Sequence, residues 1–247
     1  MTPIWRADGE LTFFLIRKYW FYGREAMRIS NEVLGIGVPC TFPFVPISFV
    51  HSFVLMEKPS FQYITCDNGP IDTLRNDIVK KAIECGVTKL IMMDVDQVYP
   101  PDTITKLLKH KHPLVGVSVN RRYPPFDPII MKLTDKGYEL INDYEPGDLV
   151  ECDATGAGCV AYDMSIFKEL PYPWFEFKKD EETGMVIGED IGLCQNLKAK
   201  GHRIYVDTSV EVGHLTTMVV SNATHELYKA MKCDPEQKQA ALGIGKE

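Results

Sequence analysis

The chain has 247 residues, 45% of them apolar and 25% charged, the composition of an ordinary globular protein with a sizeable core. Its formal net charge of -7 speaks against a long nucleic-acid groove filled by electrostatics alone. The apolar stretch Leu11–Tyr22 is broken by Arg17 and Lys18, and the segment from Thr41 to Met56 is short and carries Pro43 and Pro46. Neither a membrane span nor a secretory signal is therefore expected.

The seven cysteines (Cys40, Cys66, Cys85, Cys152, Cys159, Cys194 and Cys233) are odd in number, with no CxxC and no regular spacing. They read as mostly buried free thiols in a reducing compartment, and the expected location is cytoplasmic.

In chain order, Arg24 to Leu34 is helix-like, and the aromatic cluster before it is expected to pack on the main body. A first strand begins at Gly35 and runs into the loop Val38-Pro39-Cys40-Thr41. Ile47 to Met56 has a helical pattern closed by Lys58-Pro59, and Phe61 to Cys66 alternates as a second strand should. Leu74, Ile78, Ala82 and Ile83 then recur at helical spacing, with Asp72 as the expected N-cap and Gly86 as the stop. The apolar run Lys89 to Met93 is a third strand. Pro101-Asp102 opens a short helix, and Leu114 to Val119 is a fourth strand. Strands alternating with helices predict a mostly parallel sheet.

After Asn120 the rhythm changes to Pro-rich segments and short strands at Ile129–Leu133 and Cys159–Tyr162, with a Gly-rich turn at Thr155-Gly-Ala-Gly158 between them. A brief helix follows around Ser165–Leu170. Glu189–Lys200 is a clear helix stopped by Gly201, and a strand at Arg203–Val206 comes after it. No repeat or linker interrupts the chain, which reads as one domain.

Three motifs carry candidate chemistry. Asp94-Val95-Asp96 ends the third strand, where open α/β sheets put their ligands. In an extended segment both carboxylates share a face while Val95 points into the core, and two like charges so close call for a divalent cation. A bare strand-end Asp capping the next helix is the alternative. Glu189-Asp190 opens a helix, where acids offset the dipole and a carboxylate is held ready to accept a proton. His214 follows the last strand, and Asp with His is a donor set that Mn²⁺ accepts. A basic run from Lys106 to Lys136, including Arg121 and Arg122, is either a solvated face or a hold for a phosphorylated ligand.

The order Asp-x-Asp, Gly-x-Gly, Gly188-Glu189-Asp190 and Gly213-His214 resembles the GT-A glycosyltransferases, especially the family 2 type and its compact prophage relatives. Val38 to Thr41, Leu74-Arg75-Asn76, Asn120-Arg121-Arg122, Pro173-Trp174-Phe175 and Tyr205-Val206-Asp207-Thr208 stand in the same order. The likeness covers roughly residues 34–220.

The resemblance implies an α/β GT-A fold, Rossmann-like, with a mostly parallel central sheet flanked by helices. It also implies an extension over 1–33, a nucleotide-binding half over 34–120, a sugar and acceptor half over 121–220 and a helical tail over 221–247. By the same resemblance Asp94, Asp96 and His214 hold Mn²⁺ or Mg²⁺, with Asp94 also touching the ribose. Pro39, Cys40, Thr41, Asp67 and Val95 line the nucleoside pocket, Arg75 lies near the base or diphosphate, and Gly156, Gly158 and Trp174 shape the sugar site.

Asp190 is then the general base of an inverting displacement, and Glu189 touches donor or acceptor. The implied partners are a nucleotide-sugar donor, of uridine diphosphate type by family habit, and an acceptor hydroxyl on a glycan, a small molecule or a modified nucleic-acid base. The competing readings are a non-catalytic sugar-nucleotide-binding module and a metal-dependent hydrolase. A sugar-nucleotide pyrophosphorylase is disfavoured, because Pro39-Cys-Thr-Phe-Pro43 stands where its Gly-rich phosphate loop belongs.

Overall fold

A computed structural model describes residues 32–181 and 184–232. The helix read at Arg24 onward and Cys233 therefore fall wholly or mostly outside the described residues.

The first half alternates as the apolar pattern predicts. Strand β1 (Leu34–Cys40) leads to α1 (Ile47–Leu55), β2 (Gln62–Asp67), α2 (Ile71–Glu84) and β3 (Lys89–Met93). The short β4 (Gln97–Val98), α3 (Thr103–Leu107) and β5 (Leu114–Val119) complete it. Helix α2 stops at Gly86, whose φ of 69° is a left-handed geometry that suits glycine. Its N-cap is Pro70 rather than Asp72. Asp72 instead sits in the first turn, where an acid complements the helix dipole.

The second half holds β6 (Ile130–Thr134), β7 (Gly137–Leu140), β8 (Leu149–Cys152), β9 (Ala154–Thr155) and β10 (Cys159–Asp163). They are followed by α4 (Ile166–Glu169), β11 (Lys178–Lys179), β12 (Val186–Ile187) and α5 (Glu189–Ala199). Then come β13 (Ile204–His214) and α6 (Asn222–Lys232). The last strand is far longer than the expected Arg203–Val206. A bulge between Asp207 and Glu211 lets it resume pairing with Ser118 and Val119 of β5, so His214 ends the strand rather than following it.

The main sheet has eight strands in the order β2-β1-β3-β10-β5-β13-β4, with β8 also paired to β13. Strands β1, β2 and β3 are mutually parallel and β13 is parallel to β5, whereas β10 runs antiparallel between β3 and β5. Five strands thus share one direction, and their C-terminal ends lie on a single edge. Side chains of β3 alternate between two cores, because neighbouring residues of a strand face opposite sides. Leu90 and Met92 pack with Ile78 of α2 and Leu193 of α5, and Ile91 and Met93 pack with Phe49 of α1 and Ile104 of α3.

Among the described residues no helix is long and apolar enough to cross a membrane. Cys66, Cys152, Cys159 and Cys194 are buried free thiols, as expected, while Cys40 is half-buried and Cys85 exposed. Burial pushes the Cys152 thiol up to about 12, which leaves it unreactive at neutral pH.

Candidate functional site

The candidate residues gather at the C-terminal edge of the sheet because the strands that carry them run the same way. Cys40 ends β1 beside Asp67, its register partner at the end of β2, and Pro39 pairs with Cys66. Asp94 follows β3, Asn120 follows β5, and His214 ends β13. Three backbone links fix the edge. The Asp94 amide donates to the Gly158 carbonyl at 2.8 Å, the Leu215 amide donates to the Asp96 carbonyl at 2.8 Å, and the buried Tyr99 hydroxyl donates to the Asp94 carbonyl at 2.7 Å.

The two aspartates of the opening motif have different surroundings. Asp94 is engaged by Arg75, whose Nη2 donates to both carboxylate oxygens at 3.0 and 2.9 Å. Arg75 is only 4% exposed. Its Nη1 makes a very short contact to Glu189 Oε1, so one guanidinium joins α2, the end of β3 and the start of α5. Burial alone would lower the Arg75 pKa, but Asp94, Glu189 and the nearby Asp190 outweigh it and hold the guanidinium charged. One cation cannot offset several buried acids. Burial therefore leaves both Asp94 and Glu189 above their usual carboxylate range despite Arg75.

Asp96 faces a different group. Its Oδ2 lies 2.9 Å from Arg122 Nη1 and 3.5 Å from His214 Nε2. Burial would raise Asp96, but His214 and Arg122 outweigh it and hold the carboxyl below its ordinary value. His214 is lowered by burial and raised more by Asp96 and by the Asn120 carbonyl, so its net shift is upward. His214 Nδ1 is 2.8 Å from that carbonyl, which can only accept, so Nδ1 carries the proton and Nε2 is the nitrogen aimed at Asp96.

This arrangement fits a divalent cation with two protein donors, Asp96 Oδ2 and His214 Nε2. A carbonyl that fixes the tautomer is the usual partner of a metal-binding imidazole. Asp94, the third expected ligand, has both carboxylate oxygens accepting from Arg75 in this structure, each with a further lone pair. Among the described residues no group of three or more His, Cys, Asp or Glu side chains forms a metal cage.

Several side chains have surroundings other than those expected. Trp174 does not present its indole to a sugar: it is 8% exposed and donates Nε1–H to the Phe167 carbonyl at 2.8 Å. Asn76 anchors that turn by accepting from the Trp174 and Phe175 amides at 3.0 and 3.1 Å. Gly158 does not open space for a sugar either. The space its Cβ would take is filled by the buried Gln97, whose Nε2 would be 2.0 Å away. Arg75 is an internal tie between carboxylates, and Glu189 is buried on it rather than turned toward a ligand. Val95 is half-buried and packs against the core on the α1 side.

Asp190 is half-buried. Its Oδ1 accepts from the Ile191 amide at 2.8 Å, and its Oδ2 faces Gly156, 3.7 Å from where a Cβ would stand. Gly188 is needed for this pose, since a Cβ there would lie 2.7 Å from Asp190 Oδ1.

The basic run is split by β5. Lys106 is tied to Asp102 and the Ser209 carbonyl before the strand, whereas Arg121 and Arg122 follow it at the site. Sequence reasoning gave no individual role to Arg122, Gln97, Tyr99 or the Asn120 carbonyl. For Arg122 the signal was present in Asn120-Arg121-Arg122.

No protein-family model matches the sequence, and no curated protein matches it at a significant level. Solved structures do match. The STIV protein A197 is 14% identical with a TM-score of 0.53, the match covering 75% of this chain and 86% of that one. GalNAc-T7, crystallised with UDP, GalNAc and Mn²⁺, is 12% identical with a TM-score of 0.52. That match covers 81% of this chain and 48% of GalNAc-T7, so the chain spans about half of that structure. The likeness is one of fold: the chain has the α/β fold of the GT-A glycosyltransferases.

Proposed function

We propose that the chain is a metal-dependent glycosyltransferase that moves a sugar from a nucleoside diphosphate sugar, of uridine type, to an acceptor hydroxyl. The observation that carries this reading is the pairing of Asp96 with His214 at the C-terminal edge of a GT-A sheet, with Asp190 opening α5 beside Gly156. The UDP and Mn²⁺ held by GalNAc-T7 are consistent with it.

In this reading Pro39, Cys40, Thr41 and Asp67, at the ends of two adjacent parallel strands, receive the nucleoside. Asp96 and His214 hold Mn²⁺ or Mg²⁺, with phosphate oxygens completing the shell as such ions commonly require. When bound, the ion neutralises charge on the departing diphosphate. Asp94 and Glu189 are positioning residues, locked by Arg75 so that the strand end and the helix start keep one geometry. Asp190 takes the proton of the attacking hydroxyl through Oδ2, giving inversion.

The test is thermal stabilisation by UDP with and without Mn²⁺. At a hundred times the dissociation constant the wild type should gain about 2.7 kcal/mol. Asp96→Ala should lose the Mn²⁺-dependent part, and an unchanged gain in that variant would sink the metal role. Release of UDP from UDP-sugar only when an acceptor hydroxyl is supplied distinguishes transfer from hydrolysis.

A further inference from the structure

Arg122 Nη1 and His214 Nε2 approach the same carboxylate oxygen of Asp96, at 2.9 and 3.5 Å. The two are not equivalent neighbours for a metal. A neutral imidazole nitrogen joins a cation's shell, whereas a guanidinium is itself a cation and is repelled from one. Arg122 at contact distance on Asp96 Oδ2 therefore competes with a divalent cation shared between that oxygen and His214.

Arg122 is built to leave without going far. Its side chain is 55% exposed, against 33% for Asp96, so no packing holds the guanidinium in place. Its backbone is held: Thr216 Oγ1 donates to the Arg122 carbonyl at 3.4 Å. The hairpin that carries it is closed by the Arg121 amide donating to the Asp127 carbonyl at 2.9 Å and by Asn120 Nδ2 donating to the Phe126 carbonyl at 2.7 Å. Asn120 is also the residue whose carbonyl orients His214. The hairpin thus keeps the guanidinium within one side-chain length of the metal donors whichever partner it has.

We infer that Arg122 is a place-holding cation: it neutralises Asp96 in the absence of metal, is displaced from Oδ2 by the divalent ion, and then binds the phosphate oxygens that arrive with that ion. This rests on the reading of Asp96 and His214 as metal donors. Guanidinium suits both partners, because its planar fork matches carboxylate and phosphate alike. The exchange couples the two ligands. Metal alone must break the Arg122–Asp96 pair, whereas metal with a nucleoside diphosphate gives Arg122 a replacement, so each ligand should tighten the other.

The experiment is titration with Mn²⁺, read by the electron paramagnetic resonance of the free ion, with and without UDP. It compares wild type, Arg122→Ala and Arg122→Lys, each shown to be folded by thermal melting. Arg122→Ala should bind Mn²⁺ alone about two- to fivefold more tightly, the effect of removing an exposed ion pair. The tightening of Mn²⁺ by UDP should shrink about tenfold in the same variant, the scale of a lost charge-assisted hydrogen bond, with Arg122→Lys between the two. Equal or weaker binding of Mn²⁺ alone by Arg122→Ala refutes the role of Arg122 and leaves the parent reading intact. No Mn²⁺ binding by wild type, with or without UDP, refutes both.

Discussion

Replacing Arg75 with methionine tests the central tie of the site. The substitution keeps much of the side-chain volume but removes the charge shared by Asp94 and Glu189. The two carboxylates then face burial unpaired, and the cheaper course for each is to take up a proton. For a glutamate with an ordinary value of 4.5, staying protonated at pH 7 costs about 3 kcal/mol, from about 1.36 kcal/mol per pH unit. The same reckoning for Asp94, from 3.8, gives about 4 kcal/mol. Its side chain is 22% exposed, however, so only a fraction of that applies. The expected loss at pH 7 is about 3–5 kcal/mol, in line with breaking other buried ion pairs.

The pH dependence has a definite sign. Both groups have raised pKa values when folded, so the folded state binds more protons and stability falls as pH rises. In wild type that loss begins near the ordinary values of 3.8 and 4.5 and ends once the raised folded values are passed. Without Arg75 the window extends upward. The variant should regain up to about 1.4 kcal/mol from Glu189, and less from the partly exposed Asp94, for each unit of acidification between pH 7 and pH 5. Urea denaturation of both proteins at pH 7 and pH 5.5 measures this. A loss below about 1 kcal/mol at pH 7, or the same pH slope as wild type, would refute the argument that Arg75 holds two buried charges.

Asp190→Asn should leave UDP-sugar affinity nearly intact while transfer falls about 10²- to 10⁴-fold, the usual contribution of a positioned base; near wild-type turnover would assign the proton to another group. Trp174→Phe should cost about 1–3 kcal/mol in denaturation through the orphaned Phe167 carbonyl, with donor affinity unchanged. A drop in donor affinity at constant stability would return Trp174 to the sugar site.

The fold was legible because its strands are short apolar runs followed by turn residues, and β1 to β3 and β5 lie within two residues of where those runs place them. β13 was read short because Thr208, Ser209 and Glu211 interrupt the apolar pattern; only the bulge allows pairing to resume beyond them. The candidate residues were legible as motifs at strand and helix ends, but the pairing among them was not. The partners of Arg75 lie 19 and 114 residues away, and nothing local indicates that its guanidinium joins Asp94 to Glu189. Gly158 shows the same limit. A glycine near a site suggests room for a ligand, yet its neighbour is Gln97, brought there by the pairing of β4 with β13.

The two aspartates therefore divide their labour by burial. Asp94 is enclosed with an arginine that cannot leave, since Arg75 is 4% exposed and held between two acids. Asp96 stands at the rim with an arginine that can, since Arg122 is mostly solvent-exposed. A permanent partner suits a carboxylate whose task is to hold the strand end against α5. An exchangeable partner suits one that, in the proposed function, must be charged and available when a metal-bound diphosphate arrives. A variant without charge at position 122, such as Arg122→Leu, should leave Asp96 without its resting counter-ion and still bind Mn²⁺. A variant that removes Arg75 should lose the fold's stability before it loses the metal.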